Sequence, residues 1–331
     1  MKYLCAQQDC TVAVTGKCLL SHVPAETCPN IRIVDEASQG LPEQARGLQT
    51  ALVYPGNELG FDQVSEIFAS RYGHLIAVLG AEATGKTCLL CSLYLLASCG
   101  DLRPTRLFAG SLTLPGFESR LRLLRKWSGT GLPDKIVDRT TLLDPRQPGF
   151  LHLIFKENSG NDGIRDLFFT DLPGEWTTDL VKRAAVAERF RFLSRADGVI
   201  IAVTAPQLLA PESKNSQTQF ARLLLQRLRD TVAMPTDIPL IFAITRCDMT
   251  GSVNPPAIYQ IVDFARELGF SNASHVPVAS FSDRPNVPSG MGLASLLDAI
   301  FPTSLIVAPE CDSPDGTRMF NRFRFGAEVQ G

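Results

Sequence analysis

The residues whose types and spacing suit phosphate chemistry stand together at Gly80-Ala81-Glu82-Ala83-Thr84-Gly85-Lys86-Thr87. Gly80 and Gly85 permit a tight turn in which successive backbone N–H groups point inward. At the start of a helix such a turn makes a nest for the α- and β-phosphates of a nucleotide. Lys86 would reach the β- and γ-phosphate oxygens as a point charge, and the Thr87 hydroxyl would ligate a magnesium ion bridging them. The phosphate-binding set is read as Gly80 through Thr87 together with Cys88. This signature requires a strand before it and a helix after it. The apolar runs 74–79 and 86–99 supply both.

A second constellation follows in Leu167-Phe-Phe-Thr-Asp171-Leu-Pro-Gly174-Glu175. Asp171, at the end of an apolar run, is placed to hold magnesium through a water, and the Gly174 N–H to approach the γ-phosphate. A third, Thr245-Arg246-Cys247-Asp248, ends another apolar run and would set a carboxylate beside the pocket at the carboxyl edge of a sheet. Asp248 can accept both the N1–H and the exocyclic amine of guanine. Adenine lacks that donor pair, so an aspartate here discriminates against it. Ser280, in Val278-Ala-Ser280-Phe281, is a weaker candidate for the neighbourhood of the guanine O6.

These motifs need a scaffold. From residue 50 onward short apolar runs alternate with longer amphipathic ones, the pattern of a three-layer α/β domain with a mostly parallel sheet. Strands are expected at 74–79, 151–155, 166–170, 198–203, 239–244 and 275–278. Helices are expected at 61–71, 86–99, 116–127, 178–195, 215–232, 256–268 and 291–300. The predicted organisation is a cysteine-rich module over 1–34, a linker over 35–49, a nucleotide-binding domain over 50–302 and an irregular tail over 303–331, with the aromatic-basic patch Phe320–Phe325.

Length and composition fit an ordinary globular protein: 331 residues, 45% apolar, with a formal charge of −2. Near-neutrality supplies no overall electrostatic attraction to nucleic acid or an anionic membrane, so neither is expected as partner. The amino-terminal stretch lacks the apolar region of a secretory signal, and no run approaches the roughly 20 apolar residues of a membrane span, so a cytoplasmic location is expected. Nine cysteines in such a chain point to thiols or metal ligands rather than disulfides. Cys5, Cys10, Cys18 and Cys28 cluster near the start, and Gly16-Lys-Cys18 resembles the turn of a zinc knuckle. A structural zinc site on these four thiols is expected, with His22 as alternative ligand, because metal can order a segment too short to bury a core. The side chains of Cys88, Cys91 and Cys99 fit the buried face of the 86–99 helix and receive no chemical role.

The three motifs in this order resemble the Ras-like and translation-factor-related GTPases, and residues 50–300 more specifically resemble the bacterial double-GTPase family. The stretches Phe108–Phe117, Asp171-Leu-Pro-Gly-Glu-Trp176 and Arg195-Ala-Asp-Gly198 carry the closer likeness. The resemblance implies a P-loop GTPase fold, GTP or GDP with Mg2+ as ligands, and a switch signalling to protein partners, among them a second GTPase and effectors in antiviral conflict systems.

Several positions depart from the usual pattern. Thr245-Arg246 stands where Asn-Lys is usual, though an arginine still lies flat on a base. Glu175 occupies the position of the water-orienting glutamine; it is a candidate catalytic residue with Lys86, yet its charge opposes that of the γ-phosphate. Thr113 is the preferred switch threonine and Thr105 the runner-up, with Arg103, Arg106 and Arg120 nearby as candidate cations. An adaptor that binds nucleotide with little hydrolysis remains the alternative function; an ATPase is disfavoured by Asp248.

Overall fold

The computed structural model describes residues 2–5, 27–29, 31–34, 56–103, 106–125, 137, 147–157, 163–251 and 254–301. The expected linker over 35–49, Thr105, Cys10, Cys18, His22 and the tail with Phe320–Phe325 lie outside them. The chain divides into two compact units, Met1–Val53 and Tyr54–Gly331.

In the first unit, strand β1 (Lys2–Cys5) pairs antiparallel with β2 (Ile31–Val34), Cys5 opposite Ile31. This ribbon stands where the cysteine spacing suggested a zinc knuckle. Among the described residues no group of three or more His, Cys, Asp or Glu could hold a metal ion. Cys28 is buried. The zinc module therefore receives no structural support.

The second unit is built on seven strands: β3 (His74–Leu79), β4 (Arg106–Gly110), β5 (Phe150–Glu157), β6 (Ile164–Thr170), β7 (Gly198–Thr204), β8 (Leu240–Thr245) and β9 (Ala273–Pro277). Their spatial order is β4-β5-β6-β3-β7-β8-β9. Only the pairings made by β5 are antiparallel. Every residue of β3, β7 and β8 is buried, which is why these strands read as unbroken apolar runs: a parallel sheet is covered on both faces.

The helices are α1 (Phe61–Ser70), α2 (Lys86–Cys99), α3 (Leu114–Arg120), α4 (Arg122–Arg125), α5 (Gly174–Lys182), α6 (Ala205–Leu209), α7 (Pro211–Asp230), α8 (Ala257–Glu267) and α9 (Leu293–Ile300), with a 3-10 segment at Ala184–Arg195. Alternate residues of β3 enter opposite layers. Ala77 and Leu79 pack with Leu180, Phe190, Leu224 and Ile261; Ile76 and Val78 pack with Leu89, Phe117, Phe169 and Leu297. The result is the expected mixed α/β domain, and no helix among the described residues is long and apolar enough to cross a membrane.

The differences from the sequence reading are local. β4 was not anticipated, because its five residues include Arg106, which is buried where a strand core expects an apolar side chain. Arg106 is tolerated there through Asp298 at 3.1 Å and the Phe301 carbonyl at 3.2 Å. The helix expected over 116–127 begins at Leu114, with Pro115 in its first turn, where the missing N–H costs nothing. The helix expected over 178–195 is two pieces, since Arg183 adopts an extended conformation between α5 and the 3-10 segment.

α3 is pinned on two sides. The Phe117 ring, fully buried, stacks on Tyr94 of α2 at 4.7 Å. The Gly116 N–H donates to the Gly56 carbonyl at 2.9 Å, and a Cβ at Gly116 would run into the Asn57 carbonyl. Replacing Phe117 by Ala should therefore lower the unfolding free energy in a denaturant titration by ~3–5 kcal/mol, the usual cost of emptying an aromatic core position.

Candidate functional site

Where β3 ends, the chain leaves the sheet centre. β4 to β6 lie on one side of β3 and β7 to β9 on the other, so the carboxyl end of β3 is the point where strand order reverses and α/β proteins open a crevice. Gly80 (φ 146) and Gly85 (φ 86) both adopt positive φ, a region that favours glycine, and Ala83 joins them at φ 61. At Gly80 a Cβ would come within 2.7 Å of the Ala202 carbonyl oxygen. Gly85 caps α2, so the amides of its first turn face the loop.

Lys86 is buried and folds back over this turn, its Nζ donating to the carbonyls of Gly80 at 2.9 Å and Ala81 at 3.0 Å. Burial pulls its pKa down from the ordinary lysine value to about 8, against the opposing pull of Asp171, Glu175 and Glu82. Two neighbours brace the turn. The Gly80 N–H donates to the Thr177 hydroxyl of α5 at 3.4 Å, and Gly174 lies flat against it: a Cβ there would strike the Glu82 nitrogen and approach the Ala81 carbonyl carbon to 2.6 Å. Gly174 is thus confined to glycine by packing, in the position expected for a backbone contact to a terminal phosphate. Glu175, one residue on, is exposed in the first turn of α5.

Asp171 follows the last residue of β6 and is buried. Its Oδ1 accepts from the Thr87 hydroxyl at 3.3 Å. The structure thus brings together the two side chains expected to serve a magnesium ion, and their hard oxygens suit that ion. Asp171 Oδ2 accepts from Arg120 Nε at 2.9 Å, and the other end of the same guanidinium reaches Glu58 Oε2 at 3.3 Å and the Gly116 carbonyl at 3.0 Å. Of the three arginines that flank this segment in sequence, Arg120 pairs with Asp171, whereas Arg103 and Arg106 pair with Asp298. Glu58 escaped the sequence reading, as no motif marks it, and only the fold carries it to Arg120.

Thr113 is not brought to this cluster. It is fully buried at the start of α3, where its hydroxyl accepts from the His152 N–H at 2.9 Å, so in this structure it ties α3 to β5. His152 itself accepts the Leu112 N–H at Nδ1 and meets Asp166 through Nε2 at 2.9 Å.

On the other flank the Thr245 hydroxyl donates to the Thr84 carbonyl at 2.7 Å, and the Arg246 guanidinium to the Ala83 carbonyl at 2.9 Å. Both residues therefore hold the turn directly. Arg246 adopts φ 58, which swings the chain into the short 3-10 turn carrying Asp248. Partial burial raises the Asp248 pKa; its own backbone N–H opposes the rise and Asp283 adds to it. Ser280 is buried beside this segment. Its carbonyl accepts from Ser92 of α2 at 2.6 Å, while the Val278 N–H donates to Ile244 at 2.8 Å and the Cys247 N–H to Val278 at 3.3 Å. Thr245, Arg246, Asp248 and Ser280 thus share the edge expected of a base pocket. The thiols of Cys88 and Cys91 are pushed up by burial, Cys88 to about 11, in keeping with a packing role.

A strand-loop-helix phosphate cradle at the sheet's switch point, backed by Thr87, Asp171 and the Thr245–Asp248 segment, defines a P-loop nucleotide-binding protein. The chain belongs to the Double-GTPase 2 family, whose model matches residues 74–301. No curated protein matches it. Among solved structures it is similar to Methanosarcina barkeri Roco2 RocCORdC bound to GDP, at 13% identity and a TM-score of 0.34 over 70% of this chain and 50% of that one. A bacterial selenocysteine-specific elongation factor EF-Sec gives 16% and 0.35 over 70% and 28%. The Chaetomium thermophilum signal recognition particle receptor SRb-GTP/SRX complex gives 16% and 0.35 over 65% and 94%. The chain spans only half the length of the first of these.

Two outcomes follow from the geometry. Replacing Gly174 by Ala should lower the unfolding free energy by about 1–3 kcal/mol, an overpacking cost, in a denaturant titration. Lys86 is cationic below its pKa of about 8 and neutral above it. Affinity for a phosphate-bearing ligand should therefore fall as pH rises through 8, with a slope of up to about tenfold per unit, as read by calorimetric titration between pH 7 and 9.

Proposed function

We propose that the protein is a guanine-nucleotide switch that binds GTP with Mg2+ and hydrolyses it slowly until a partner supplies what its own site lacks. The observation that supports this reading is the pair of hydrogen bonds from Thr245 and Arg246 to the phosphate turn that also carries Lys86, with Asp248 two residues beyond Arg246. In this reading the Gly80–Cys88 amides and Lys86 hold the phosphates, and Asp248 accepts the guanine N–H donors. Arg246 and Ser280 flank the base. Thr87 and Asp171 hold the metal ion, which when bound neutralises the charge of the β- and γ-phosphates.

The slow turnover is inferred from Glu175. It is an acid in the place where a neutral water-orienting side chain is expected, and its exposure leaves room for a partner to reposition it. Segments 101–120 and 171–182 are the elements proposed to change on loss of the γ-phosphate, giving a protein-protein output. Partners such as a second GTPase or effectors, and an antiviral setting, rest on the resemblance to bacterial double-GTPases. The same carboxylate favours a second reading, an adaptor that binds nucleotide without turnover.

Purified full-length protein should bind GTP and GDP at least about 100-fold more tightly than ATP, in line with discrimination by buried hydrogen bonds. Asp248→Asn should erase most of that preference, and Lys86→Ala should abolish binding of all three nucleotides. Preference for ATP in the unaltered protein would overturn the guanine assignment. Tight GTP binding with no phosphate release would leave the adaptor.

A further inference from the structure

The guanidinium of Arg120 lies between two buried carboxylates, 2.9 Å from Asp171 and 3.3 Å from Glu58, with side-chain exposures of 10%, 0% and 5% in that order. An arginine cannot shed its proton to relieve burial, and a buried charge is stable only while paired. Asp171 is also the carboxylate that, with Thr87, suits a divalent cation. One carboxylate therefore faces two cationic claims, one of them permanently attached to the chain.

We propose that Arg120 is a built-in counter-cation that competes with the divalent ion for Asp171, and that Glu58 is the second anchor onto which it withdraws when the metal binds. This rests on the nucleotide-binding reading above. Glu58 is placed for the role by Gly116, whose lack of a side chain lets the 56–58 segment lie against α3, and whose carbonyl accepts a further guanidinium N–H at 3.0 Å. When Arg120 leaves Asp171 it keeps Glu58 and the Gly116 carbonyl, so its charge is never stranded. Because Arg120 closes α3 and Thr113 opens it, each change of partner is felt along the whole helix, between the metal-binding carboxylate and the β5 backbone to which Thr113 is bonded. Arg120 is on this account a positioning residue that sets how readily the metal-loaded state forms.

The test uses the full chain with GDP carrying a fluorescent N-methylanthraniloyl group, titrating free Mg2+ with EDTA buffers and reading the half-saturating concentration. Arg120→Gln should lower it, by about tenfold. Glu58→Gln should raise it severalfold, because Arg120 then has Asp171 as its remaining carboxylate in this cluster. The double variant should stay below the unaltered protein, which separates loss of competition from mere gain of negative charge. If Arg120 only propped Asp171 in place, both single substitutions would weaken metal binding; that result, or an unmoved half-saturation in either, overturns the proposal. Thermal melting monitors folding, and should Arg120→Gln fail to fold, Arg120→Lys is expected to give a smaller fall while Glu58→Gln keeps its overturning outcome. Absence of any nucleotide signal in the unaltered protein at every metal concentration would instead sink the underlying nucleotide reading, and this proposal with it.

Discussion

The buried charge on Asp171 is the constraint around which this domain is arranged. A carboxylate at the buried end of β6 is costly to bury alone, and three separate parts of the chain converge to satisfy it: Thr87 from α2, Arg120 from α3 and, through Arg120, Glu58 from the segment that pairs with β5 at Phe150. Those elements in turn need the stacking of Phe117 on Tyr94 and the bare backbone of Gly116 to lie close enough. The ionic cluster and the apolar core are thus one assembly.

The phosphate turn obeys the same logic from the other side. Its carbonyls are occupied by Lys86, Thr245 and Arg246, and its amides are braced by Thr177 at Gly80. These bonds hold the turn in its conformation from both flanks. The elements that touch the turn, α5 at Gly174 and the Thr245–Asp248 segment at Thr245, are those expected to sense phosphate and base.

Much of this was legible beforehand, and the reason is local. The apolar run 74–79 and the helix 86–99 coincide with β3 and α2, because a phosphate loop needs its own neighbours in sequence to form its turn. Asp171 and Asp248 were found by the same route, each at the end of an apolar strand. β4 was missed because it carries a buried arginine whose partners, Asp298 and Phe301, lie nearly two hundred residues away. The partner of Thr113 was illegible for a related reason: its hydroxyl accepts from the β5 backbone at His152, 39 residues further along the chain.

By itself the amino-acid sequence determined the class of fold, the phosphate turn and the segment Thr245–Asp248 that the fold sets against it, since each depends on side-chain types at short, fixed spacings. Tertiary structure alone decided which cation stands beside Asp171. Three arginines were equivalent candidates in sequence. Only the approach of residues 56–58 to α3, permitted by the bare Gly116, puts Glu58 within reach of Arg120, while Arg103 and Arg106 are drawn to Asp298. Long-range charge pairing follows from packing geometry, and packing geometry is not written at any one spacing along the chain.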